Sequence, residues 1–417
     1  MILIRIALQS LWSRRITVAL TVFAIALSVA LLLGVEKVRT GARTSFADTI
    51  SGTDLIFGAR SGSVQLLLYS VFRIGNATNN VTWENYRTIA VRPEVAWAVP
   101  ISLGDSHRGF RVMGTNGEYF VRYRYRGGRK LEFAQGQPFD DLFDAVIGSS
   151  VATELGYRLD DPIVVAHGLA SFSRHEDLPF RVAGILKSTG TPADRTVLVS
   201  LAAVEAIHAD WQSGARIPGR TTPAEILRQM DLEPKVITAA MLGVKSKLQI
   251  FNLQRAINDF PGEPLLAILP GVALHELWGI VGVAETALTG VAVMVVFTAL
   301  IGMMAIIFSS LNERRREMAI LRSIGARPTT VFTLLLVEAV AMTLAGIVLA
   351  LALLYTGMWV ARPYVDARYG LYLPIEMLKT DDWRMLAFIL CAGALISALP
   401  AWRAFRLSLV DGMSVRM

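Results

Sequence analysis

Residues 312–327 read NERRREMAILRSIGAR, five arginines set between two long apolar runs. The run before them, Thr286–Leu311, and the run after them, Ala339–Ala361, contain no charged residue. Ile16–Val35 and Met385–Trp402 repeat the pattern elsewhere in the chain. About 20 apolar residues, each rising 1.5 Å, cross a bilayer's hydrocarbon core of about 30 Å. The four windows therefore predict four transmembrane helices. Composition agrees: of 417 residues, 53% are hydrophobic and 18% charged, and the mean hydropathy is +0.47. Ile16–Val35 also has signal-peptide features, with Arg14 and Arg15 before it and small residues at Ser28–Ala30. Its apolar run continues to Val35, longer than a signal core, so an uncleaved first span is expected.

The arginines then have a physical task, because Lys and Arg near helix ends stay on the cytoplasmic side. Arg5, Arg14 and Arg15 precede the first window, Arg314, Arg315, Arg316, Arg322 and Arg327 separate the second and third, and Arg403, Arg406 and Arg416 follow the fourth. All three segments are expected inside. In residues 362–382, Arg362, Arg368 and Lys379 are balanced by Asp366, Glu376, Asp381 and Asp382, which suits the outer side. The net charge of +7 is then a topology signal, and no nucleic-acid partner is expected.

The layout that follows is an α-helical membrane protein with an interfacial amphipathic helix over 1–15. Transmembrane helices cover 16–37, 279–311, 328–361 and 383–403. A large mixed α/β domain over 38–278 is inserted outside, between the first two spans. A cytoplasmic coupling helix covers 312–327, a short outer loop 362–382 and a cytoplasmic tail 404–417. For residues 1–15, a plain cationic anchor without a separate helix competes with the amphipathic reading.

Within 38–278, runs rich in β-branched residues predict strands at 53–59, 108–115, 144–150, 161–167, 179–186 and 195–200. Helical patterns fall at 149–157, 201–211, 222–230 and 247–260. Within the apolar insert Ser63–Asn80, the segment Val64–Phe72 admits three readings, packing inside the domain core, lining an outer cleft or resting on the lipid surface. His167 and His175, with Glu176 and Asp177, fit no standard zinc spacing, so an exposed polar loop and no metal are expected. The sequence contains neither a nucleophile elbow nor a Gly-Lys dipeptide, so neither a serine hydrolase nor a phosphate-cradling P-loop is expected in it. Cys391 is the one cysteine and rules out an intrachain disulfide.

Glu317, Leu321, Arg322, Gly325 and Ala326 form an E-x-x-x-L-R-x-x-G-A pattern after the second span, Glu338 precedes Gly346 in the third, and the chain closes on PAWRAFRLSLVDGM. With the blocks 136–165 and 180–207, these strings resemble the MacB and FtsX-like permeases of ABC transporters over nearly the whole chain. Leu409 stands where the closing motif of that family usually has proline. The resemblance implies a homodimeric or pseudo-dimeric permease of the bacterial inner membrane, working by mechanotransmission. It implies a cytoplasmic ATPase partner that binds ATP and Mg, with no cofactor and no catalysis in this chain. It also implies a periplasmic location for the large domain and a periplasmic adaptor or substrate-binding protein as a further partner.

In that frame EMAILRSIGA reads as an amphipathic helix under the membrane, ended by Gly325 and followed by Pro328 in the first turn of the next helix. Arg314, Arg315, Arg316, Glu317, Leu321, Arg322, Gly325 and Ala326 are the expected ATPase-coupling residues, through groove fit and charge. The plainer reading has the arginines anchor lipid headgroups, at about 1 kcal/mol each. Glu338 lies roughly 15 Å along its helix from Pro328, where an acid normally faces protein or water. It is either a polar contact that shifts with the bundle or a headgroup-level acid beside Arg14 or Arg15. Three functional classes fit: export or extraction of a substrate, FtsX-like regulation of a cell-wall enzyme, and export of a metal or haem.

Overall fold

The computed structural model describes residues 2–168, 175, 177–212, 215–217, 222–313, 326–369 and 375–406. They form two compact units, one drawn from Met1–Thr40, Gly282–Pro363 and Pro374–Met417, the other from Gly41–Val281 and Tyr364–Leu373.

The first unit is helical. Helix α1 (Ile2–Ser13) is separated by Arg14 from α2 (Arg15–Thr49), and α3 (Pro270–Glu313), α4 (Pro328–Tyr369) and α5 (Thr380–Arg406) follow. Among the described residues, four helices are long and apolar enough to cross a membrane, α2 to α5. The helices outrun their apolar windows. Beyond Val35 the sequence EKVRTGARTSFADT loses hydrophobicity but contains no proline, so the intrahelical ladder continues to Thr49. Pro270 and Pro328 open α3 and α4, where the missing N–H has no helical acceptor to lose.

Helix α4 has the largest buried share of the four, 50% of its most apolar stretch, so it is the centre of the bundle. Its Ala339, Met342 and Ile347 pack with Ile25 and Val29 of α2, Leu300, Met303 and Ile307 of α3, and Leu386 and Ile389 of α5. Small residues permit this approach: a Cβ at Gly346 would lie 2.6 Å from Ile25 Cγ2, and one at Gly393 would lie 2.7 Å from the Thr343 hydroxyl. The outer faces are hydrocarbon, as Leu20, Phe23 and Leu27 of α2 and Leu288, Met294 and Phe297 of α3 show. Hydroxyls inside the bundle are absorbed locally: Thr21 donates to the Thr17 carbonyl, Ser28 to Ala24 and Thr343 to Ala339.

The second unit is built on an eleven-stranded mixed sheet. Its strands are β1 (Leu55–Ala59), β2 (Val95–His107), β3 (Phe110–Thr115), β4 (Phe133–Gly136), β5 (Asp144–Ile147), β6 (Pro162–Ile163), β7 (Ala166–His167), β8 (Phe180–Leu186), β9 (Thr196–Ser200), β10 (Ala239–Val244) and β11 (Leu265–Ile268). The order is β11-β1-β10-β2-β3-β9-β5-β8-β4, with β7 added to β2 and β6 to β8. Strand β2 joins the two halves: Val95 to Ile101 pair with β10, and Ser102 to His107 pair with β3. Sequence patterning did not anticipate β2, β4, β10 or β11. Pro100 interrupts β2, which demotes a strand by rule, yet the strand continues through it opposite Ala240.

The stretch from Ser63 forms a helix, Ser63–Ser70, whose Leu66, Leu67 and Tyr69 are at most 1% exposed and whose neighbours Val71 and Phe72 join the same core. Packing within the domain is therefore its role. On the other side of the sheet, Phe110, Ala145, Val182 and Val197 pack against Ala203, Ala206 and Ile207 of the helix Leu201–Ile207. Ser200 caps that helix by accepting the Ala203 N–H, and Gly114 lets it sit close, since a Cβ there would lie 2.6 Å from Val204.

Gly346→Ala should push α2 from α4 and lower bundle stability by about 1–3 kcal/mol, the usual range for overpacking. Gly357→Ala, where no atom lies within 4 Å of the added Cβ, should be neutral or better. Thermal melts of the two variants in detergent separate close packing from helix propensity.

Candidate functional site

The residues assigned to ATPase coupling, Arg314, Arg315, Arg316, Glu317, Leu321, Arg322 and Gly325, lie outside the described residues. Ala326 is described and is half-buried just ahead of α4. The tail from residue 407 also lies outside them. What the structure does place is the ground on which that segment is mounted, the last turns of α3 and the first of α4.

There a cavity of about 480 Å³ opens among four helices. Ser10 and Leu11 of α1, Arg14 and Arg15 at the α1–α2 break, Ser310 of α3, and Glu338 of α4 line it. Glu338 is 6% exposed, so it faces protein, and the two readings of this acid converge on one place shared with Arg14 and Arg15. Arg14 reaches the Ser310 carbonyl at 3.5 Å, which ties the start of α2 to the end of α3. The buried Glu338 thus shares one cavity with Arg14 and Arg15, beside Ile306, Ile307 and Met342, near the helix ends that flank the arginine-rich segment.

A second buried charge pair holds the bundle elsewhere. Lys37 Nζ of α2 lies 2.7 Å from Asp382 Oδ2 of α5, with side chains 9% and 6% exposed. Asp382 also accepts the Lys379 N–H at 2.8 Å, the reciprocal half of a capping box at the start of α5. Sequence reading counted Asp382 only as a loop charge, because its partner is far away in the chain.

In the outer domain four side chains converge that sequence spacing did not connect. Strand β2 shifts register against β3 between Leu103 and Ser106, and Asp105 sits in that irregularity with only 4% exposure. Strand β7 sets His167 directly across from Asp105. His208 ends the helix Leu201–Ile207, and the His175 main-chain N–H donates to the Val165 carbonyl. Asp105 Oδ1 lies 3.3 Å from His167 Nδ1 and 3.6 Å from His208 Nε2, and those two nitrogens are 3.1 Å apart. Hydrogen bonding to Asp105 raises the His167 pKa above its ordinary value, against the lowering effect of burial. His175, expected in an exposed loop, is instead 6% exposed, and one atom from each of the four residues lies within 4.8 Å of the others. Glu176 lies outside the described residues, and Asp177 is exposed and not part of the group.

Four helices long and apolar enough to cross a membrane, with a large α/β insert between the first two, are the architecture of a multi-pass membrane protein. Residues 18–233 match the family described as MacB-like periplasmic core domain, and residues 289–409 match FtsX-like permease C-terminal. The chain belongs to the MacB/FtsX-like permeases of ABC transporters, and is a multi-pass inner-membrane protein. The macrolide export ATP-binding/permease protein MacB of Shewanella oneidensis is 24% identical over 427 residues, covering 99% of this chain and 60% of its own length. The pyoverdine export ATP-binding/permease protein PvdT of Pseudomonas syringae pv. syringae is 24% identical over 443 residues, covering 99% of this chain and 59% of its own length. The chain thus spans about 60% of the length of these curated relatives. Among solved structures, the periplasmic region of MacB from Actinobacillus actinomycetemcomitans aligns with a TM-score of 0.34 and 11% identity, covering 56% of this chain and 97% of that one.

Removing one partner of a buried ion pair strands the other charge, which costs about 3–5 kcal/mol. Lys37→Met should therefore lower the melting temperature of the purified protein sharply, and the double variant Lys37→Met with Asp382→Leu should recover most of the loss. A double variant no better than the single would show that Asp382 is needed for its cap rather than for the pair.

Proposed function

We propose that this permease couples ATP hydrolysis by a cytoplasmic ABC ATPase to movement of its periplasmic domain, and that the movement exports or extracts a substrate. Both termini and residues 312–327 then face the cytoplasm. The relatives named for macrolide and pyoverdine export favour an export role over regulation of a cell-wall enzyme. ATP and Mg belong to the ATPase, and this chain supplies no catalytic group. Two copies of the permease, each engaging an ATPase, complete the working unit, and a periplasmic adaptor or substrate-binding protein receives the output.

The reading rests on one observation, the continuity of α2 and α3. Helix α2 has 35 residues and α3 has 44, so at 1.5 Å per residue they extend roughly 52 Å and 66 Å. A hydrocarbon core of about 30 Å accounts for little more than half of α2 and less than half of α3. The same two helices give residues to both compact units without a helical break. Ile25 and Met303 lie in the bundle core, while Phe46 and Trp278 lie in the outer-domain core with their rings 5.5 Å apart. A continuous helix carries a push along its own axis, where a flexible linker would absorb it. The energy therefore enters at the helix ends around the Glu338 cavity and leaves through the domain that α2 and α3 hold.

The coupling residues are the test. Glu317→Ala and Gly325→Ala, co-reconstituted with the ATPase in proteoliposomes, should insert and assemble normally yet lose the link between ATP hydrolysis and substrate movement. Unchanged coupling in both variants removes the assignment of residues 314–326 as the ATPase-facing element.

A further inference from the structure

We propose that Asp105, His167, His175 and His208 bind one divalent first-row transition-metal ion, of which Zn²⁺ is the archetype, in the outer domain. The proposal stands independently of the export reading.

Ligand geometry is the first argument. Nitrogen and oxygen ligands at 2.0–2.1 Å from a tetrahedral zinc ion lie about 3.3 Å from one another. The three separations among Asp105 Oδ1, His167 Nδ1 and His208 Nε2 are 3.1, 3.3 and 3.6 Å, which bracket that edge length. The His175 ring, 5.3 Å from the His208 ring between centroids, supplies the fourth corner.

Orientation is the second. His208 Nδ1–H donates to the Val204 carbonyl at 2.8 Å, an acceptor that fixes the proton on Nδ1 and leaves Nε2 as a bare lone pair directed at the group. A ligating imidazole is usually held in this way, with its other nitrogen bonded to a backbone carbonyl. Trp211 closes one side, its ring 5.6 Å from that of His167 and 5.0 Å from that of His175.

Charge is the third. Asp105 is a carboxylate with a side chain only 5% exposed, and two imidazole nitrogens, of His167 and His208, lie within 3.6 Å of its Oδ1. Buried charges are paired or bind metal. Three imidazoles and one carboxylate suit zinc, copper or nickel and suit magnesium or calcium poorly, because those ions prefer oxygen ligands. His167 keeps its side chain 42% exposed, which leaves an entry path. The ion would fasten together the β2 irregularity, β7 and the end of the helix Leu201–Ile207.

The full-length protein in detergent, stripped with a chelator, is titrated with Zn²⁺ by calorimetry. One ion per chain and a rise in melting temperature are expected, since a ligand that binds only the folded state stabilises it. Co²⁺ in place of Zn²⁺ should give the intense visible absorption of a tetrahedral site, and Cu²⁺ should quench Trp211 fluorescence, a signal that Trp211→Phe removes. His208→Ala and Asp105→Asn should each weaken Zn²⁺ binding by at least about tenfold, the lower bound set by losing even an outer-shell partner. His275→Ala, which removes an exposed histidine outside the group, should bind as the wild type does. Failure of the wild type to bind Zn²⁺, or equal binding by His208→Ala, overturns the proposal. If His208→Ala does not fold, a weak octahedral Co²⁺ spectrum from the wild type overturns it instead.

Discussion

Hydrocarbon offers no partner to a backbone N–H or C=O, and that constraint shapes this chain more than any side-chain contact does. Every segment that crosses must close its own hydrogen bonds, so the crossing elements are unbroken helices. Once such a ladder is running, nothing stops it at the edge of the apolar window. In α2 the polar residues after Val35 are ordinary helix residues, and the ladder ends only at Thr49. The long rods are thus a consequence of the solvent on one part of the helix and the absence of a breaker on the rest. Their stiffness is available to function because it was required for insertion.

The same solvent decides how the bundle treats its few charges. Lys37 and Asp382 pair at 2.7 Å, and the carboxylate also satisfies the open N–H at the start of α5. Such a pair is weak evidence for stability, since a matched apolar pair often does as well. It does fix how α2 and α5 are set, because any other register leaves a charge alone. Glu338 is buried as well, and it lines a cavity with Arg14 and Arg15, so this acid too is met by protein and not by lipid.

Much of this was legible from composition alone. Four windows without charge announce four spans because the cost of burying an ion in lipid leaves little room for exceptions. Helix ends were not legible, since they depend on breakers rather than on hydrophobicity. In the outer domain, the runs with β-branched residues were found, including Phe180–Leu186 and Thr196–Ser200. The strand that joins the two halves of the sheet was not. Val95–His107 contains Pro100, Gly104 and Asp105, each of which argues locally against a strand, and tertiary pairing on both sides overrides them. The histidine group was invisible for a related reason. A metal motif is read from short spacings, whereas here Asp105 and His167 meet through cross-strand pairing and His208 arrives at the end of a helix that Gly114 allows to sit close.

The irregularity in β2 also bears on why the group exists. Successive side chains in a strand face opposite sides, so a regular ladder through Leu103–Ser106 would have set this stretch one step differently. The one extra residue breaks that alternation and turns a carboxylate into a place with almost no access to water. Desolvating an aspartate is unfavourable by several kcal/mol unless something positive or hydrogen-bonding meets it. His208 Nδ1 is engaged by the Val204 carbonyl, so its Nε2 is the nitrogen turned toward Asp105 Oδ1 and His167 Nδ1. A cation held by these atoms would meet the buried carboxylate at the place where the β2 backbone departs from its own ladder.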